Sequence, residues 1–313
     1  MLNIVGLLRY RQQGTGMVKQ IVAVCVCTYQ RPNMLRDCLS SLVGQHLGQH
    51  PDFEPVLVVV DNNPPQAEEV VRAVAHCTSW PVVYVPEPHR GIASARNAAL
   101  NAAMGIDGVT WIAFTDDDEL AEPGWLAALM APEYRDTPIL SGGSCNKKEG
   151  ETLKTTMTRC VRFSIALYLH GLRFDTSMDL TGGEDTLFFT QAHMAGFAIR
   201  HTNRAKMRSQ IHPERVGLAA SIYRHYWMAI SNFRAMAMRR GYAGAVLFYL
   251  PRSAAMLAIG VLEMLVSPCF VVWSGRQAWR RFTHGATRVA KTFGWLAAMA
   301  GLRTEPYRHT VGR

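Results

Sequence analysis

Residues 111–126, with the sequence WIAFTDDDELAEPGWL, decide the fold class of this chain. The first five residues predict a buried β-strand, and three aspartates, Asp116, Asp117 and Asp118, follow it directly. Adjacent carboxylates repel one another, and Mg²⁺ or Mn²⁺ removes this repulsion while sharing its remaining positions with phosphate. The alternative is a solvated acidic turn that caps the helix beginning near Pro123. Because a strand and a Pro-Gly-Trp-Leu segment flank the aspartates, we favour the metal and phosphate site.

Upstream of this stretch, short apolar runs alternate with segments of helical spacing. Strands are predicted at residues 20–28, 55–60, 82–85 and 109–115, and helices at residues 33–47, 66–76 and 92–104. This alternation predicts a parallel sheet with both faces covered, in which ligands bind beyond the carboxyl ends of the strands. Thr28, Asp61 and the three aspartates all stand at such ends.

Two further upstream motifs carry polar groups. Asp61 could accept hydrogen bonds from a nucleotide base or ribose, although Asp-Asn-Asn-Pro also readily forms an Asx-turn. In the segment from His89 to Asn97, Gly91 permits a close approach and Arg96 could meet a phosphate. A surface helix whose arginine pairs with a nearby acid explains this segment equally well.

Downstream, Thr181-Gly-Gly-Glu184-Asp185 places two carboxylates at the predicted start of a helix over residues 184–195. Stabilisation of the helix dipole is the commonest reason for acids there. The functional alternative is a general base that accepts a proton from a hydroxyl group. His212, in the segment SQIHPER, could bind a metal or a phosphate, but a single histidine is more often structural.

The basic character of the chain is confined to its end. Residues 217–313 contain thirteen Lys and Arg against two acidic residues, whereas the first 216 residues are nearly neutral within a total net charge of +9. The same tail is apolar and predicted to be helical, which favours contact with an anionic membrane over nucleic acid. Residues 254–273 are long enough to span a bilayer, but Glu263 near the middle makes an interfacial helical hairpin at least as plausible. A buried helical subdomain or a dimer face is the structural alternative.

The remaining features concern organisation and compartment. We predict three regions: a dispensable extension at residues 1–16, an α/β domain at residues 17–216, and the tail at residues 217–313. The seven cysteines show no metal or disulfide spacing, which indicates reduced thiols and a cytoplasmic location.

Taken together, the motifs resemble the family 2 glycosyltransferases with the GT-A fold, especially bacterial enzymes related to succinoglycan glycosyltransferases. The resemblance covers roughly residues 20–215, about two thirds of the chain, with the motifs in the family's order. The matching stretches are CVCTYQRPNMLRDCLSSL (25–42), VVVDNNP (58–64), EPHRGIASARNAAL (87–100), WIAFTDDDELAEPGWL (111–126) and TGGEDTLFF (181–189), with HPER (212–215) as a weaker match.

The resemblance implies a mostly parallel, Rossmann-like sheet and an inverting, Mn²⁺- or Mg²⁺-dependent hexosyltransferase. It would transfer sugar from a nucleotide-diphosphate donor to a saccharide or polyprenyl-linked acceptor, at the cytoplasmic face of the inner membrane, in cell-surface polysaccharide biosynthesis. Anionic lipid would be a partner and nucleic acid would not. The implied donor-binding residues are Thr28, Tyr29, Arg31, Asp61, Gly91, Arg96, Asn97, Asp116, Asp117 and Trp125.

The resemblance further implies that Asp118 binds the metal, with His212 as an approximate second ligand. Glu184 would orient the acceptor and Asp185 would be the catalytic base. The QxxRW signature of processive members is not found in the sequence, which favours the addition of one sugar per event. Two alternatives stay open: a nucleotidyltransferase, which would be expected to have a Gly-rich phosphate loop after the first strand, and a non-catalytic membrane scaffold of the same fold.

Overall fold

The computed structural model describes residues 19–48, 52–144, 160–210 and 217–306. The proposed extension, His212 and the HPER segment lie outside these residues. The strands are β1 (Gln20–Thr28), β2 (Phe53–Asp61), β3 (Val82–Pro86), β4 (Val109–Asp116), β5 (Glu119–Ala121), β6 (Ile139–Ser144), β7 (Cys160–Ser164) and β8 (Ile199–Ser209). The helices are α1 (Pro32–Val43), α2 (Glu68–Cys77), α3 (Ile92–Met104), α4 (Trp125–Leu129), α5 (Ala166–Leu169), α6 (Glu184–Met194), α7 (Leu218–Val266) and α8 (Gly275–Met299).

The described residues divide into two compact units. The sheet unit contains the described residues up to Thr176 together with Gln191–Gln210. The helical unit contains Ser177–Thr190 and the described residues from 217 onward. The predicted catalytic pair, Glu184 and Asp185, belongs to the helical unit in this division.

All eight strands form one sheet in the order β3-β2-β1-β4-β7-β6-β8-β5. The strands β1 to β4 are parallel, as the alternating pattern predicts, since a crossover helix connects each of them to the next. The other half is mixed: β7 is antiparallel to β4 and β6, while β6 and β8 are parallel. The prediction of a parallel sheet thus holds for one half of a mixed sheet.

The core of the sheet unit forms where apolar strand residues meet the inner faces of the helices. Val22, Val24 and Val26 alternate along β1 and are fully buried. On α1, Leu35 and Leu39 lie one turn apart and pack into the same core. These contacts fix the carboxyl ends of the parallel strands relative to one another, and the polar residues stand there.

In the helical unit, α7 is interrupted at Gly241, whose φ of 72° breaks the helix into residues 218–240 and 242–266. Three contacts show that α8 runs back along α7: Gly260 approaches Gly285, Glu263 pairs with Arg288, and Tyr242 donates to the carbonyl of Met299. Within the described residues, one helical stretch, Leu218–Phe270, is long and apolar enough to cross a membrane, and only 17% of its most apolar part is buried in the protein.

Candidate active site

Three parallel strands end at one edge of the sheet and deliver the predicted polar residues there. In the strand register, Thr28 stands opposite Asp61 and Cys27 stands opposite Asp116. The residues that follow these strand ends therefore converge, as expected for a sheet of this type. This edge is the candidate donor site.

Asp117 lies at the centre of this edge and is 5% exposed. The Thr28 hydroxyl donates a hydrogen bond of 2.8 Å to Asp117 Oδ2, and Arg31 Nη1 donates one of 3.1 Å to Asp117 Oδ1. The same guanidinium nitrogen lies 3.7 Å from Asp118 Oδ2. Arg31 thus brings positive charge to two of the three aspartates.

Asp116 is held from the other side. Arg96, on α3, forms an ion pair of 3.2 Å with Asp116 Oδ1, and its guanidinium group also lies 5.6 Å from the centre of the Phe174 ring. The Asp116 side chain is 46% exposed, so this pair is open to solvent. The two arginines predicted to bind the donor therefore both contact the acidic run.

Burial raises the pKa of Asp117 to about 6, with a smaller contribution in the same direction from Asp118 and Asp116. Arg31 and the Thr28 hydroxyl act in the opposite direction. Because the pKa of Asp117 is higher in the folded than in the unfolded protein, protonation of Asp117 stabilises the folded state. This contribution to the free energy of unfolding is fully present below about pH 3.8 and is lost as the pH rises through 6. At neutral pH Asp117 is therefore ionised at a cost in folding stability.

We expect Arg31→Gln to destabilise the metal-free protein by about 3 kcal/mol at pH 8 and by much less at pH 5, because Arg31 is the cation that most relieves the ionised Asp117. Thermal denaturation in EDTA at the two pH values measures this difference. Arg36→Gln, which changes an exposed arginine on α1, the helix that directly follows Arg31, is the matched control. Equal losses for Arg31→Gln at both pH values would contradict the electrostatic explanation.

The residues at this edge fit a divalent cation bound together with a nucleotide. Among the described residues, no three His, Cys, Asp or Glu side chains converge in a set that could hold a metal ion. Mg²⁺-type sites at phosphates commonly use one or two carboxylates and complete their coordination with phosphate and water, so a full protein cage is not required. The clustered aspartates provide such carboxylates, and a bound cation would relieve the cost of ionising the buried Asp117. His212 lies outside the described residues, and its assignment stays a prediction.

Asp61 is fully buried and accepts three hydrogen bonds from the protein. Its donors are the backbone N–H groups of Asn63 (3.0 Å) and Ala67 (2.8 Å) and the hydroxyl of Tyr84 (2.9 Å). The structure thus supports the Asx-turn alternative for this residue. Contact between Asp61 and a nucleotide base stays a prediction.

Asn62 organises the start of α3, a role that the sequence reasoning missed. Its side-chain nitrogen donates to the carbonyls of Glu87 (3.0 Å) and His89 (2.7 Å), and its oxygen accepts from the N–H of Gly91 (2.8 Å). These three bonds hold the turn that contains the predicted donor residue Gly91. The only sequence signal was the position of Asn62 beside Asp61 at the end of β2.

Two residues that were predicted to bind the donor, Asn97 and Trp125, make contacts within the protein fold. The side chain of Asn97 donates to the carbonyl of Phe174 (2.8 Å) and accepts from its N–H (2.9 Å), so both ends of the amide bind the backbone. Trp125 is fully buried in the core. That Trp125 lines the sugar pocket stays a prediction. Tyr29 remains at the edge, with the guanidinium of Arg90 4.8 Å from its ring centre.

The acidic pair of the helical unit begins α6 after a glycine turn. Gly182 and Gly183 both have positive φ values, and a Cβ atom on Gly183 would lie 2.4 Å from the hydroxyl of Ser231. Ser231 also donates a hydrogen bond of 3.2 Å to the carbonyl of Gly182. Glycine is therefore required at residue 183, and α7 packs against this turn.

The two carboxylates that follow the turn differ in burial. Glu184 is 5% exposed, whereas Asp185 is half-buried. Asp185 Oδ1 accepts a hydrogen bond of 2.6 Å from the N–H of Thr186. Asp185 is therefore the more accessible of the two carboxylates, and the assignment of Asp185 as the base and of Glu184 as the residue that orients the acceptor stays a prediction.

The chain is similar to known proteins in both sequence and fold. It is 28% identical over 243 residues to the succinoglycan biosynthesis protein ExoM of Rhizobium meliloti (strain 1021), covering 68% of this chain and 72% of that protein. Its fold is similar to that of the mannosyltransferase PcManGT from Pyrobaculum calidifontis in complex with GDP-Man and Mn²⁺, with a TM-score of 0.62, 21% identity, and 88% and 86% of the two chains covered.

A further solved structure of similar fold is TarS 1–349 from S. aureus in complex with UDP-GlcNAc, with a TM-score of 0.50, 16% identity, and 90% and 92% of the two chains covered. At these identities the two solved structures show the fold alone. The family model for glycosyl transferase family 2 matches residues 23–200, which is more than half of the 313 residues. This match, the GT-A architecture and the relative in exopolysaccharide synthesis identify the chain as a glycosyltransferase that belongs to glycosyl transferase family 2.

Proposed function

We propose that this protein transfers one sugar, with inversion, from a nucleotide-diphosphate sugar to a saccharide or polyprenyl-linked acceptor in cell-surface polysaccharide biosynthesis. The observation that carries the proposal is the convergence of Thr28, Arg31, Arg96 and the three aspartates at one edge of the sheet. ExoM, a relative named for succinoglycan biosynthesis, supports the acceptor class. The apolar helix α7 and the basic tail support a location at the cytoplasmic face of the inner membrane.

In the proposed donor complex, Asp118 would hold Mn²⁺ or Mg²⁺, with Asp117 beside it on the ribose side, and the Mn²⁺ bound with GDP-Man to PcManGT supports the presence of a divalent cation. Such a cation supplies neutralisation of the charge on the diphosphate leaving group. Arg31 and Arg96 exchange their carboxylate partners for phosphate oxygens, for which the guanidinium group has suitable geometry. Thr28, Tyr29, Asp61 and Gly91 contact the nucleoside part.

The proposed chemistry is a single displacement. Asp185 accepts the proton of the acceptor hydroxyl as that oxygen bonds to the anomeric carbon, and the bond from this carbon to the phosphate oxygen breaks. The nucleoside diphosphate leaves with the bonding electron pair, and Asp185 later releases its proton to solvent. Because the hydroxyl attacks opposite the leaving group, the anomeric configuration inverts. Glu184 orients the acceptor.

A panel of donors tested by thermal shift with Mn²⁺ examines this function. We expect one nucleotide-diphosphate sugar to raise the melting temperature, since a ligand at 100 times its dissociation constant stabilises the folded state by about 2.7 kcal/mol. The same compound should give a much smaller shift in EDTA, and the matched nucleoside triphosphate should not release pyrophosphate. Pyrophosphate release would instead support a nucleotidyltransferase, and no shift with any compound would support a non-catalytic scaffold.

A further inference from the structure

Residues 242–299 of the helical unit form a tightly packed hairpin. The second half of α7, residues 242–266, continues through a 3₁₀ turn (Ser267–Phe270) into α8. Where the helices cross, a Cβ atom on Gly285 would lie 2.5 Å from the carbonyl oxygen of Gly260. Glu263 and Arg288 form an ion pair beside this crossing. The two helices are therefore held together by close backbone contact and by charge.

The α7 side of this hairpin presents an apolar surface to its surroundings. Between residues 242 and 275 the sequence contains only two charged residues, Arg252 and Glu263. The guanidinium of Arg252 lies over the Phe248 ring at 3.6 Å, so its charge is carried on an aromatic face. The exposed large apolar residues along this side and the turn are Leu247, Leu250, Ile259, Val261, Leu262, Leu265, Val266, Val271, Val272 and Trp273.

The α8 side is basic. Its residues Arg276, Arg280, Arg281 and His284 are exposed, and Lys291 is half-buried. Trp279 is exposed among them and stacks on Phe282 at 5.8 Å. Cationic and aromatic side chains together are typical of a helix at the level of lipid headgroups.

The close packing of α7 against α8 distinguishes a hairpin that crosses the membrane from one that lies within one leaflet. Residues 242–266 would extend about 37 Å as a helix, which suffices for a hydrocarbon layer of about 30 Å. However, α8 packs along this helix and would enter the hydrocarbon with it, bringing Arg280, Arg281 and Lys291. Charged side chains are the most costly residues at that depth. Separating the helices instead would break the pair with Arg288 and leave Glu263 in lipid.

We propose that the hairpin lies within one leaflet of an anionic bilayer, with residues 242–273 beneath the headgroups and α8 on the headgroup phosphates. This inference rests on the membrane association in the proposed function and specifies its form. The partner is an anionic lipid surface, because an apolar face bordered by several arginines and an exposed tryptophan matches the boundary between acyl chains and phosphates.

The exposed thiol of Cys269, in the turn, permits a direct measurement of depth. In the full chain, Cys27→Ser, Cys77→Ser and Cys145→Ser leave Cys269 for an NBD label while Cys25, Cys38 and Cys160 are buried, and vesicles contain phosphatidylcholine with 30% phosphatidylglycerol. Matched labels are placed at Ile259→Cys on α7 and Gln277→Cys on α8, each with Cys269→Ser. We expect lipid spin labels near the headgroups to quench the NBD fluorescence at residues 259 and 269 equally. The NBD label at residue 277 should remain accessible to a water-soluble quencher.

Two results would overturn the in-plane hairpin. Deepest quenching at residue 259 together with reaction of Cys269 with an impermeant maleimide trapped inside the vesicles would show a span. No quenching at residues 259 and 269, despite flotation with vesicles, would show that another surface binds lipid. Absence of flotation would instead reject membrane association itself, whereas sugar transfer to a soluble acceptor tests the chemistry separately.

The charge of α8 gives a second test. Arg276→Gln, Arg280→Gln and Arg281→Gln together should weaken binding to the anionic vesicles on the order of 100-fold, because each basic residue near such a surface contributes several-fold in affinity. The matched control replaces three exposed arginines of the sheet unit, Arg36, Arg72 and Arg200, with glutamine. An equal loss in the control would overturn the assignment to α8, since net charge alone would then explain binding.

Discussion

Asp185→Asn is expected to lower sugar transfer by about 10²- to 10⁴-fold, the range typical of a lost general base. The amide is nearly identical in size to the carboxylate but does not accept the acceptor hydroxyl proton. Donor binding should remain, because we assign the donor to the edge of the sheet that carries Asp116, Asp117 and Asp118. Turnover is measured as nucleoside diphosphate released, and donor binding as the thermal shift with Mn²⁺.

Asp175→Asn is the matched control for this variant, because it makes the same change at an exposed aspartate ten residues earlier. It should keep full turnover. Near-normal turnover in Asp185→Asn would reject the assignment of the base. The pH–rate profile adds a second criterion: loss of the base should remove its ionisation from the acidic limb, whereas a general loss of structure should lower the profile at every pH.

Asp118→Asn is expected to reduce cation-dependent donor binding and transfer by on the order of 10²- to 10³-fold, because a bound cation supplies several kcal/mol of charge stabilisation. The amide retains the shape of the side chain but loses the negative charge that attracts the cation. Binding of Mn²⁺ with the nucleoside diphosphate can be followed by electron paramagnetic resonance, independently of turnover. In the wild-type protein, EDTA should produce a loss of similar size.

The control for Asp118→Asn is Asp107→Asn, an exposed aspartate just before β4, whereas Asp118 follows the other end of that strand. It should bind Mn²⁺ and donor normally. If Asp118→Asn kept both properties and EDTA had no effect, the role of the metal would be rejected. Arg31 and Arg96 would then be the groups that neutralise the diphosphate, because they already lie against the acidic run.

The first half of the fold was predictable because its signals are local. The apolar run that forms β1 and the Ala-rich segment that forms α3 were predicted at the observed bounds, Gln20–Thr28 and Ile92–Met104. Each buried parallel strand is a continuous apolar run, and each helix has one apolar face. The sequence pattern therefore predicted where β1, β2 and β4 end, and with these ends the edge of the sheet that forms the candidate donor site.

The second half was harder to predict because its strands lack such a pattern. Only three residues form β5, and the eleven-residue strand β8 buries little beyond Thr202, Ala205 and Met207. Its polar sequence resembles a loop, so the hydrophobic pattern does not indicate a strand of this length. The antiparallel β7 depends on pairing with β4, a long-range contact that no local pattern reports.

The site shows the same division. Thr28, Arg31, Arg96 and Asp117 were predicted from the motifs, and the structure brings them together. Asn62 was missed and the burial of Trp125 in the core was not predicted, because the partners of a side chain depend on tertiary packing. An asparagine beside an aspartate indicates only a turn, and a tryptophan after Pro-Gly carries no mark of whether it faces a pocket or the core.

The packing of Ser231 against Gly182 and Gly183 bears on how this enzyme can be shortened or recombined. A soluble fragment that ends at residue 216 would retain every strand of the sheet but discard the helix that supports the turn before Glu184. A chimaera that exchanges only the tail with a relative would likewise combine Glu184 and Asp185 of one protein with the α7 helix of another. Evolutionary or engineered exchange should therefore preserve residues 177–190 and the α7 segment as a single module.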